Sequence, residues 1–236
     1  MQEKISISID KDLLSKVDKL TDNKSIKKRS KAFEFIIDEY FKKYNTSSLI
    51  ILGGSDVKID NKNVIENVKK LMKFGVKDVS IIGDKNFNSL KKRLIRLGLN
   101  VNVIEEKKLR GTAGALKMVE GNINNSFFVI FINIKFDFNV DEMVNLHEQT
   151  GSIATIGVTL ARKNTIPDNI IVEGNKITSY NKTKNQFVNA GIYIFGPGIF
   201  SYLPKKGTLD KKVFPRLAKE EKLFSYIITE KWEYLN

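Results

Sequence analysis

Cysteine is absent from this chain of 236 residues, and histidine and tryptophan occur once each. Without cysteine the chain can form neither a disulfide nor a thiolate metal site, and a single histidine, His147, cannot anchor a zinc ion by itself. These counts exclude a thiolate site and a zinc site anchored by histidine, and we expect no metal site and no bound cofactor.

Long apolar runs are also missing, because the apolar segments have only the length of strands and the N-terminus is polar and charged. These features predict neither a membrane-spanning helix nor a signal peptide. We therefore expect a cytoplasmic protein that does not interact with membranes.

Acidic residues are fewer than basic ones, and the formal net charge is +13. Such an excess suggests a polyanionic partner. A lysine-rich surface that is simply solvated accounts for the same excess, so composition leaves both interpretations open.

Residues 4–10 alternate between apolar and polar side chains, as in a strand with one buried face. One face carries Ile5, Ile7 and Ile9, and the other carries Lys4, Ser6 and Ser8. A strand at the end of a chain has unpaired backbone on both edges. The pattern therefore predicts that this strand pairs with the same strand of a second chain.

Two helices are predicted after the strand. Asp10 is a suitable N-cap for the first helix, and Ser30 for the second, whose apolar residues continue to Tyr44. A strand and two helices of this size cannot hold a core alone, but two copies can.

Residues 3–44 resemble a ribbon-helix-helix DNA-binding domain, the family of the methionine repressor. The resemblance implies a homodimer or higher homo-oligomer that contacts double-stranded DNA. It places base-reading side chains at Lys4, Ser6 and Ser8, and a phosphate contact at the start of the second helix, at Arg29, Ser30 and Lys31. The alternative is an ordinary edge strand followed by a solvated basic loop.

A polar joint at residues 45–48 predicts a boundary between a first domain, 1–46, and a second domain, 47–236. Strands and helices alternate as far as residue 132, and antiparallel segments follow, with a hairpin turn at Gly174 and Asn175. This order predicts a Rossmann-like α/β/α domain with a mixed sheet and a ligand site at the carboxyl ends of its strands.

Three segments of the second domain resemble sugar-1-phosphate nucleotidyltransferases: the run around Gly111-Thr112-Ala113-Gly114, the strand around Asn189-Ala190-Gly191, and the helix that begins near Pro215. The resemblance implies the glycosyltransferase-A-like fold of that family. It also implies contacts to a nucleotide or nucleotide-sugar at Gly53, Gly54, Gly111, Thr112, Gly114, Lys182 and Asn189. A competing interpretation is that these glycines persist only because the backbone needs them.

Two departures from the family bear on catalysis. Only a short segment follows Gly54, without the arginine and the Pro-Lys pair that handle the triphosphate in the family. Asn133 stands where the family has a metal-binding aspartate, and no aspartate follows Trp232. We therefore predict no catalytic residue and no enzymatic activity.

The resulting hypothesis is a DNA-binding transcriptional regulator, with an inactive nucleotidyltransferase-like domain that senses a nucleotide or nucleotide-sugar. Two alternatives stay open. One is an active nucleotidyltransferase with atypical metal ligands such as Asp137 and Glu233. The other is a DNA-binding protein whose large domain is only an oligomerisation scaffold.

Overall fold

The computed structural model describes residues 6–21, 26–42, 46–54, 59–161, 170–180 and 187–235. The chain divides into two compact units, Met1–Lys43 and Tyr44–Asn236. The division lies three residues before the boundary that the sequence predicts, and each unit is described by itself below.

The N-terminal unit contains two helices, α1 (Lys11–Asp18) and α2 (Arg29–Lys42). Asp10 caps α1 as predicted, because its carboxylate accepts hydrogen bonds from the amides of Asp12 and Leu13. Ser30 lies inside α2, which begins two residues earlier than a cap at Ser30 would require. Residues 6–10 carry no strand in this single chain, so the ribbon is not shown, and Lys4 lies outside the described residues.

The larger unit is built on a mixed nine-stranded sheet with the order β3-β2-β1-β4-β9-β6-β10-β8-β7. Strands β1 to β4 run parallel to one another, and β9 pairs antiparallel with both β4 and β6. This arrangement confirms the predicted α/β class with a mixed sheet. The strands are β1 (Ser48–Leu52), β2 (Asp78–Gly83), β3 (Asn100–Glu105), β4 (Phe127–Phe131), β6 (Ala154–Leu160), β7 (Ile170–Glu173), β8 (Lys176–Tyr180), β9 (Phe187–Phe195) and β10 (Leu223–Ile227).

Strand β1 explains why the sheet is covered on both faces. Leu49 and Ile51 belong to one apolar cluster, whereas Ile50 and Leu52 belong to a second cluster on the opposite face. Successive side chains of a strand point to opposite faces, so an uninterrupted apolar run needs cover on each side. Helices on each face supply it. The first cluster includes residues of α3 (Asn61–Met72), α4 (Asn88–Ile95) and α6 (Val140–Thr150), and the second includes residues of α5 (Gly111–Lys117) and α7 (Phe214–Lys219).

A second, two-stranded sheet pairs β5 (Ile134–Asp137) antiparallel with β11 (Lys231–Tyr234). The Trp232 indole N–H donates to the carbonyl of Ala190 at 2.7 Å, which ties β11 to strand β9 of the large sheet. In the described part of the chain, no helix has the length and apolar character that a membrane span needs.

His147, on α6, is buried in a cluster of hydroxyl groups. Its Nδ1 lies 2.9 Å from the Thr155 hydroxyl and 3.2 Å from the Ser152 hydroxyl, and its Nε2 lies 3.3 Å from the Ser126 hydroxyl. Burial disfavours the charged imidazolium and lowers the pKa of His147 from 6.5 to about 4. The histidine is therefore a neutral structural residue at physiological pH.

This burial predicts an acid-sensitive stability. Between pH 6.5 and pH 4 the unfolded chain binds a proton at His147 that the folded chain does not bind, so the free energy of unfolding falls as the pH falls. We expect a loss of about 2 kcal/mol between pH 7 and pH 5, measured by denaturant unfolding. Because the chain has one histidine, His147→Gln removes this part of the pH dependence. An unchanged slope in that variant would contradict the assignment.

Candidate functional site

A cavity of about 430 Å³ opens at the carboxyl ends of the parallel strands β1, β2 and β4. Ligands of parallel α/β sheets bind at this edge because the loops that follow the strands converge there. The lining consists of Leu52, Gly53, Gly54, Ile82, Glu106, Leu109, Gly111, Thr112, Ala115, Phe131, Asn133 and Tyr234. Most of these side chains are apolar, as is usual for sites that bind a small organic molecule.

Gly53 and Gly54 follow β1 directly and form one wall of the cavity. The amide of Gly53 donates to the carbonyl of Ile82 at 2.8 Å. A Cβ at Gly53 would lie 2.7 Å from the tip of the buried Phe87 ring, so a larger residue here would have to displace that ring. Gly53 and Gly54 thus both line the cavity, and their contact with a ligand stays a prediction.

The predicted motif from Gly111 to Gly114 starts helix α5, and a second backbone segment packs tightly against it. Gly111 has a φ of +75°, and a Cβ there would lie 2.6 Å from the carbonyl oxygen of Gly207. A Cβ at Gly114 would lie 2.8 Å from the carbonyl oxygen of Lys205. Both glycines are therefore required by backbone packing, whatever ligand binds.

Hydrogen bonds join the same two segments. The amide of Ala113 donates to the carbonyl of Gly207 at 3.0 Å, and the amide of Gly207 donates to the carbonyl of Arg110 at 2.7 Å. The Thr112 hydroxyl accepts from the amide of Leu209 at 2.9 Å. Gly111 and Thr112 reach the cavity lining and Gly114 does not, so Gly114 as a ligand contact has no support in the geometry.

Glu106 is a lining residue that the sequence analysis missed. It follows β3 directly, is only 6% exposed, and accepts a hydrogen bond from the amide of Arg110 through Oε1 at 2.5 Å. Its own amide donates to the carbonyl of Gly83 at 2.8 Å. Its position immediately after a parallel strand was the signal that could have identified it.

The residues considered for a metal ion do not form a metal site. Asn133 and Tyr234 reach the cavity but are neutral, and Glu106 is the one carboxylate in the described lining. The described residues contain no group of three histidine, aspartate or glutamate side chains that could hold a metal ion. Magnesium prefers several oxygen ligands that include carboxylates, so these residues do not fit a magnesium ion.

Asp137 and Glu233, the suggested atypical metal ligands, lie on the small β5–β11 sheet. They line a separate cavity of about 630 Å³ rather than the one described above. The Lys70 ammonium lies 3.1 Å from the Asp137 carboxylate and lowers the pKa of Asp137. Neither carboxylate is therefore available to a metal ion in the first cavity.

Asn189 is buried and held by protein groups. Its Nδ2 donates to Asp210 Oδ1 at 3.0 Å, and its Oδ1 accepts from the amide of Gly191 at 3.0 Å. The Tyr180 hydroxyl donates to the same Asp210 oxygen at 2.8 Å. Asn189 is not part of the cavity lining, and Lys182 lies outside the described residues, so their contacts to a sugar stay predictions.

The predicted DNA contacts of the N-terminal unit have mixed surroundings. Ser6 and Ser8 are exposed. Arg29 forms a bidentate ion pair with Asp18, at 2.7 and 2.8 Å, and Lys31 pairs with Glu34. The Arg29 guanidinium is thus already engaged by a carboxylate of its own unit.

A family model for nucleotidyl transferases matches residues 56–234 of this chain. Among curated proteins, the chain is 28% identical over 183 residues to the mannose-1-phosphate guanylyltransferase catalytic subunit beta of Xenopus tropicalis. That alignment covers 72% of this chain and 51% of the relative, so the chain spans about half the length of that relative.

Solved structures show the same fold at lower identity. A Bacillus anthracis protein described as a glucose-1-phosphate thymidylyltransferase, solved with sucrose, superposes with a TM-score of 0.65 at 18% identity. The superposition covers 79% of this chain and 89% of that one. The inositol-1-phosphate CTP transferase of T. maritima gives a TM-score of 0.61 at 16% identity, with 80% and 89% covered.

These comparisons confirm the nucleotidyltransferase resemblance and correct two predictions. A DNA-binding transcriptional regulator is wrong as the function of this chain, because the family match and the named relatives are nucleotidyltransferases. The prediction that the chain is not an enzyme is also wrong, since the same findings indicate an enzyme family. A few loop residues missing from the family pattern, and a short N-terminal resemblance, thus do not determine the function of the larger unit.

Two glycine substitutions test the packing of α5 against residues 205–207. Gly111 and Gly121 both have positive φ, but an added Cβ meets the Gly207 carbonyl at the first and nothing within 4 Å at the second. We expect Gly111→Ala to destabilise the fold by roughly 1–3 kcal/mol more than Gly121→Ala, because the first adds overpacking to the shared backbone strain. Equal losses of unfolding free energy in urea would refute the tight packing.

Proposed function

The chain belongs to the nucleotidyl transferase family, and we propose on that premise that it transfers a nucleotidyl group from a nucleoside triphosphate to a sugar 1-phosphate. The observation that carries this proposal is the cavity of about 430 Å³ at the carboxyl edge of β1, β2 and β4. Strand ends, glycines and a buried carboxylate converge there, and the lining residues other than Leu52, Gly53 and Gly54 belong to the region that the family model matches.

The cavity has the chemistry of a nucleotide base site. Its lining includes the apolar side chains of Leu52, Ile82 and Phe131, which suit the flat faces of a base. The exposed side chain of Leu109 lies at its rim, with a fractional exposure of 55%. The contribution of these residues is to hold and orient the nucleotide, which converts the transfer into a reaction between pre-positioned groups.

The proposal assigns no step to a metal ion, because the described carboxylates do not fit one. It also leaves the nucleotide and the sugar open. The named relatives act on different partners, since one is a guanylyltransferase, another is described as a thymidylyltransferase and a third is a CTP transferase. Because this chain spans about half of the curated relative, activity of the isolated chain is itself part of the proposal.

For the N-terminal unit we propose the ribbon-helix-helix fold, in which two copies pair through their first strands. The described residues support this proposal by leaving apolar side chains exposed, with Ile7 59%, Leu13 53% and Phe35 45% accessible. A unit of this size buries little core by itself, and pairing would cover these side chains. Contact of this unit with double-stranded DNA stays a prediction from the sequence.

Activity is tested by a variant that narrows the cavity. Leu109→Trp replaces an exposed aliphatic side chain with a larger indole ring, so it should obstruct nucleotide entry without disturbing the core. We expect the unmodified chain to release pyrophosphate when it is supplied with a nucleoside triphosphate and a sugar 1-phosphate. In the variant the rate of pyrophosphate release should be roughly tenfold lower.

The matched control for this assay is Ile95→Trp on α4, an exposed apolar residue at 49% that does not line the cavity. It should retain the activity of the unmodified chain. The proposed function fails if the unmodified chain releases no pyrophosphate with any combination of the common triphosphates with mannose, glucose or inositol 1-phosphates.

Pairing of the N-terminal units is tested by sedimentation of the full chain, which we expect to be a dimer at micromolar concentration. Ile7→Glu puts a charge on the apolar face of the predicted strand and should dissociate the dimer, because an unpaired charge is costly to bury. Ser8→Glu changes the opposite face and should leave the dimer intact. A monomeric unmodified chain would exclude the ribbon.

A further inference from the structure

A second cavity, of about 630 Å³, is lined by residues of helix α3 and of the small β5–β11 sheet. We propose that this second cavity binds an uncharged saccharide through the hydroxyl groups of the sugar. It shares no described lining residue with the cavity at the carboxyl edge of the large sheet. The proposal therefore goes beyond the transfer reaction and does not depend on it.

Two buried asparagines of α3 belong to the lining of this cavity. Asn63 and Asn67 are four residues apart, so they lie on one face of the helix, and they are only 4% and 1% exposed. Each Nδ2 donates to the backbone carbonyl of Ile134 on β5, at 2.6 Å from Asn63 and 2.7 Å from Asn67. These two hydrogen bonds hold α3 against β5 and orient both carboxamides.

The carboxamide oxygens of Asn63 and Asn67 have no hydrogen-bond partner among the described residues. A buried acceptor without a donor has lost its hydration uncompensated, so such groups are rare in native proteins. Both oxygens are shielded from water in this conformation, and a small rotation about Cβ–Cγ, a torsion with a broad energy profile, presents them to a ligand. A ligand that satisfies both oxygens carries at least two hydrogen-bond donors.

The charged groups of the described lining balance one another. They are three ammonium and three carboxylate groups, on Lys70, Lys135, Lys231, Glu66, Asp137 and Glu233. The Lys70 ammonium lies 3.1 Å from the Asp137 carboxylate, and the β5–β11 register places Lys135 opposite Glu233. A phosphate ligand needs an excess of cationic donors, and an ammonium ligand needs an excess of carboxylates. The cavity therefore favours a ligand without net charge.

Phe136 and Trp232 add aromatic surface to this polar lining. The indole N–H of Trp232 donates to the carbonyl of Ala190 at 2.7 Å, which fixes the position of the ring. A sugar ring has hydroxyl groups around its edge and C–H groups on its faces. It can therefore donate hydrogen bonds to amide and carboxylate oxygens while its faces contact aromatic carbon. An uncharged saccharide meets all three requirements, because it has several donors, no charge and apolar faces.

Trp232 provides a direct signal for binding, because it lines this cavity and is the only tryptophan in the chain. We expect the tryptophan fluorescence of the full chain to change saturably when glucose, mannose or sucrose is added. Glucose with all of its hydroxyl groups methylated has no donor left and should bind at least roughly tenfold more weakly than glucose. Glucuronate, which adds a negative charge, should also bind roughly tenfold more weakly, because the lining has no excess of cations.

A variant that obstructs the cavity locates the bound sugar. Lys135 is exposed on β5 and lines the cavity, so Lys135→Phe should weaken glucose binding roughly tenfold at little cost to the fold. Lys69→Phe is the matched control, because Lys69 is an exposed lysine of α3 that does not line the cavity. It should leave the affinity for glucose unchanged.

Three outcomes would overturn the proposal. One is the absence of a saturable fluorescence change with all three sugars, and another is equal binding of glucose and its methylated form. Both are measured on the unmodified chain, so they do not depend on the folding of a variant. The third is an unchanged glucose affinity in folded Lys135→Phe. None of these outcomes bears on pyrophosphate release, so the proposed transferase function would stand.

Discussion

Burial of the central strands on both faces is the constraint on which the larger unit depends. Alternate residues of β1 enter two separate apolar clusters, so the strand can only exist between two layers of helices. Parallel neighbours then follow, because each helix returns the chain to the same end of the sheet. The loops after β1, β2, β3 and β4 are thereby brought to one edge, where the cavity forms. The position of the candidate site thus follows from the burial of apolar residues on both faces of the sheet.

Much of this architecture could be predicted from the sequence because it depends on local patterns. The apolar run from Leu49 to Leu52 indicates a doubly covered strand, and Gly174 with its positive φ indicates the turn between β7 and β8. The pairing of β5 with β11 was not predicted. It joins short segments almost a hundred residues apart, and neither segment has a pattern that distinguishes it from a loop.

The site was predictable only in part. Gly53, Gly54, Gly111 and Thr112 do line the cavity, whereas Gly114 contacts the backbone of Lys205 instead. Glu106 was missed because one carboxylate in a charged stretch, followed by two lysines, looks like a solvated turn until its burial is known. The functional prediction was wrong for a related reason. The fold, which positions all of the loops, is a better guide to the activity than single residues that are missing from one loop.

Gly111 and Gly114 fit closely against residues 205–207, which bears on how the Gly-Thr-Ala-Gly motif is interpreted. The motif can be required by backbone packing or by contact with a ligand. Both glycines have a sufficient structural cause in the neighbouring carbonyl oxygens, so their presence does not by itself prove contact with a ligand. Glu106 also has a structural role, because its carboxylate accepts a hydrogen bond from the Arg110 amide, and it lines the cavity as well. A residue can therefore shape the backbone and face the cavity at once, and its presence alone does not separate the two roles.

The cavity combines Leu52, at the end of the first strand of the larger unit, with Tyr234, at the end of the last. During synthesis on the ribosome, therefore, the emerging polypeptide cannot complete this cavity until β11 has left the exit tunnel and paired with β5. Contacts of such large sequence separation form late and slowly. A nascent chain that binds a nucleotide in this cavity would therefore already have been translated through β11.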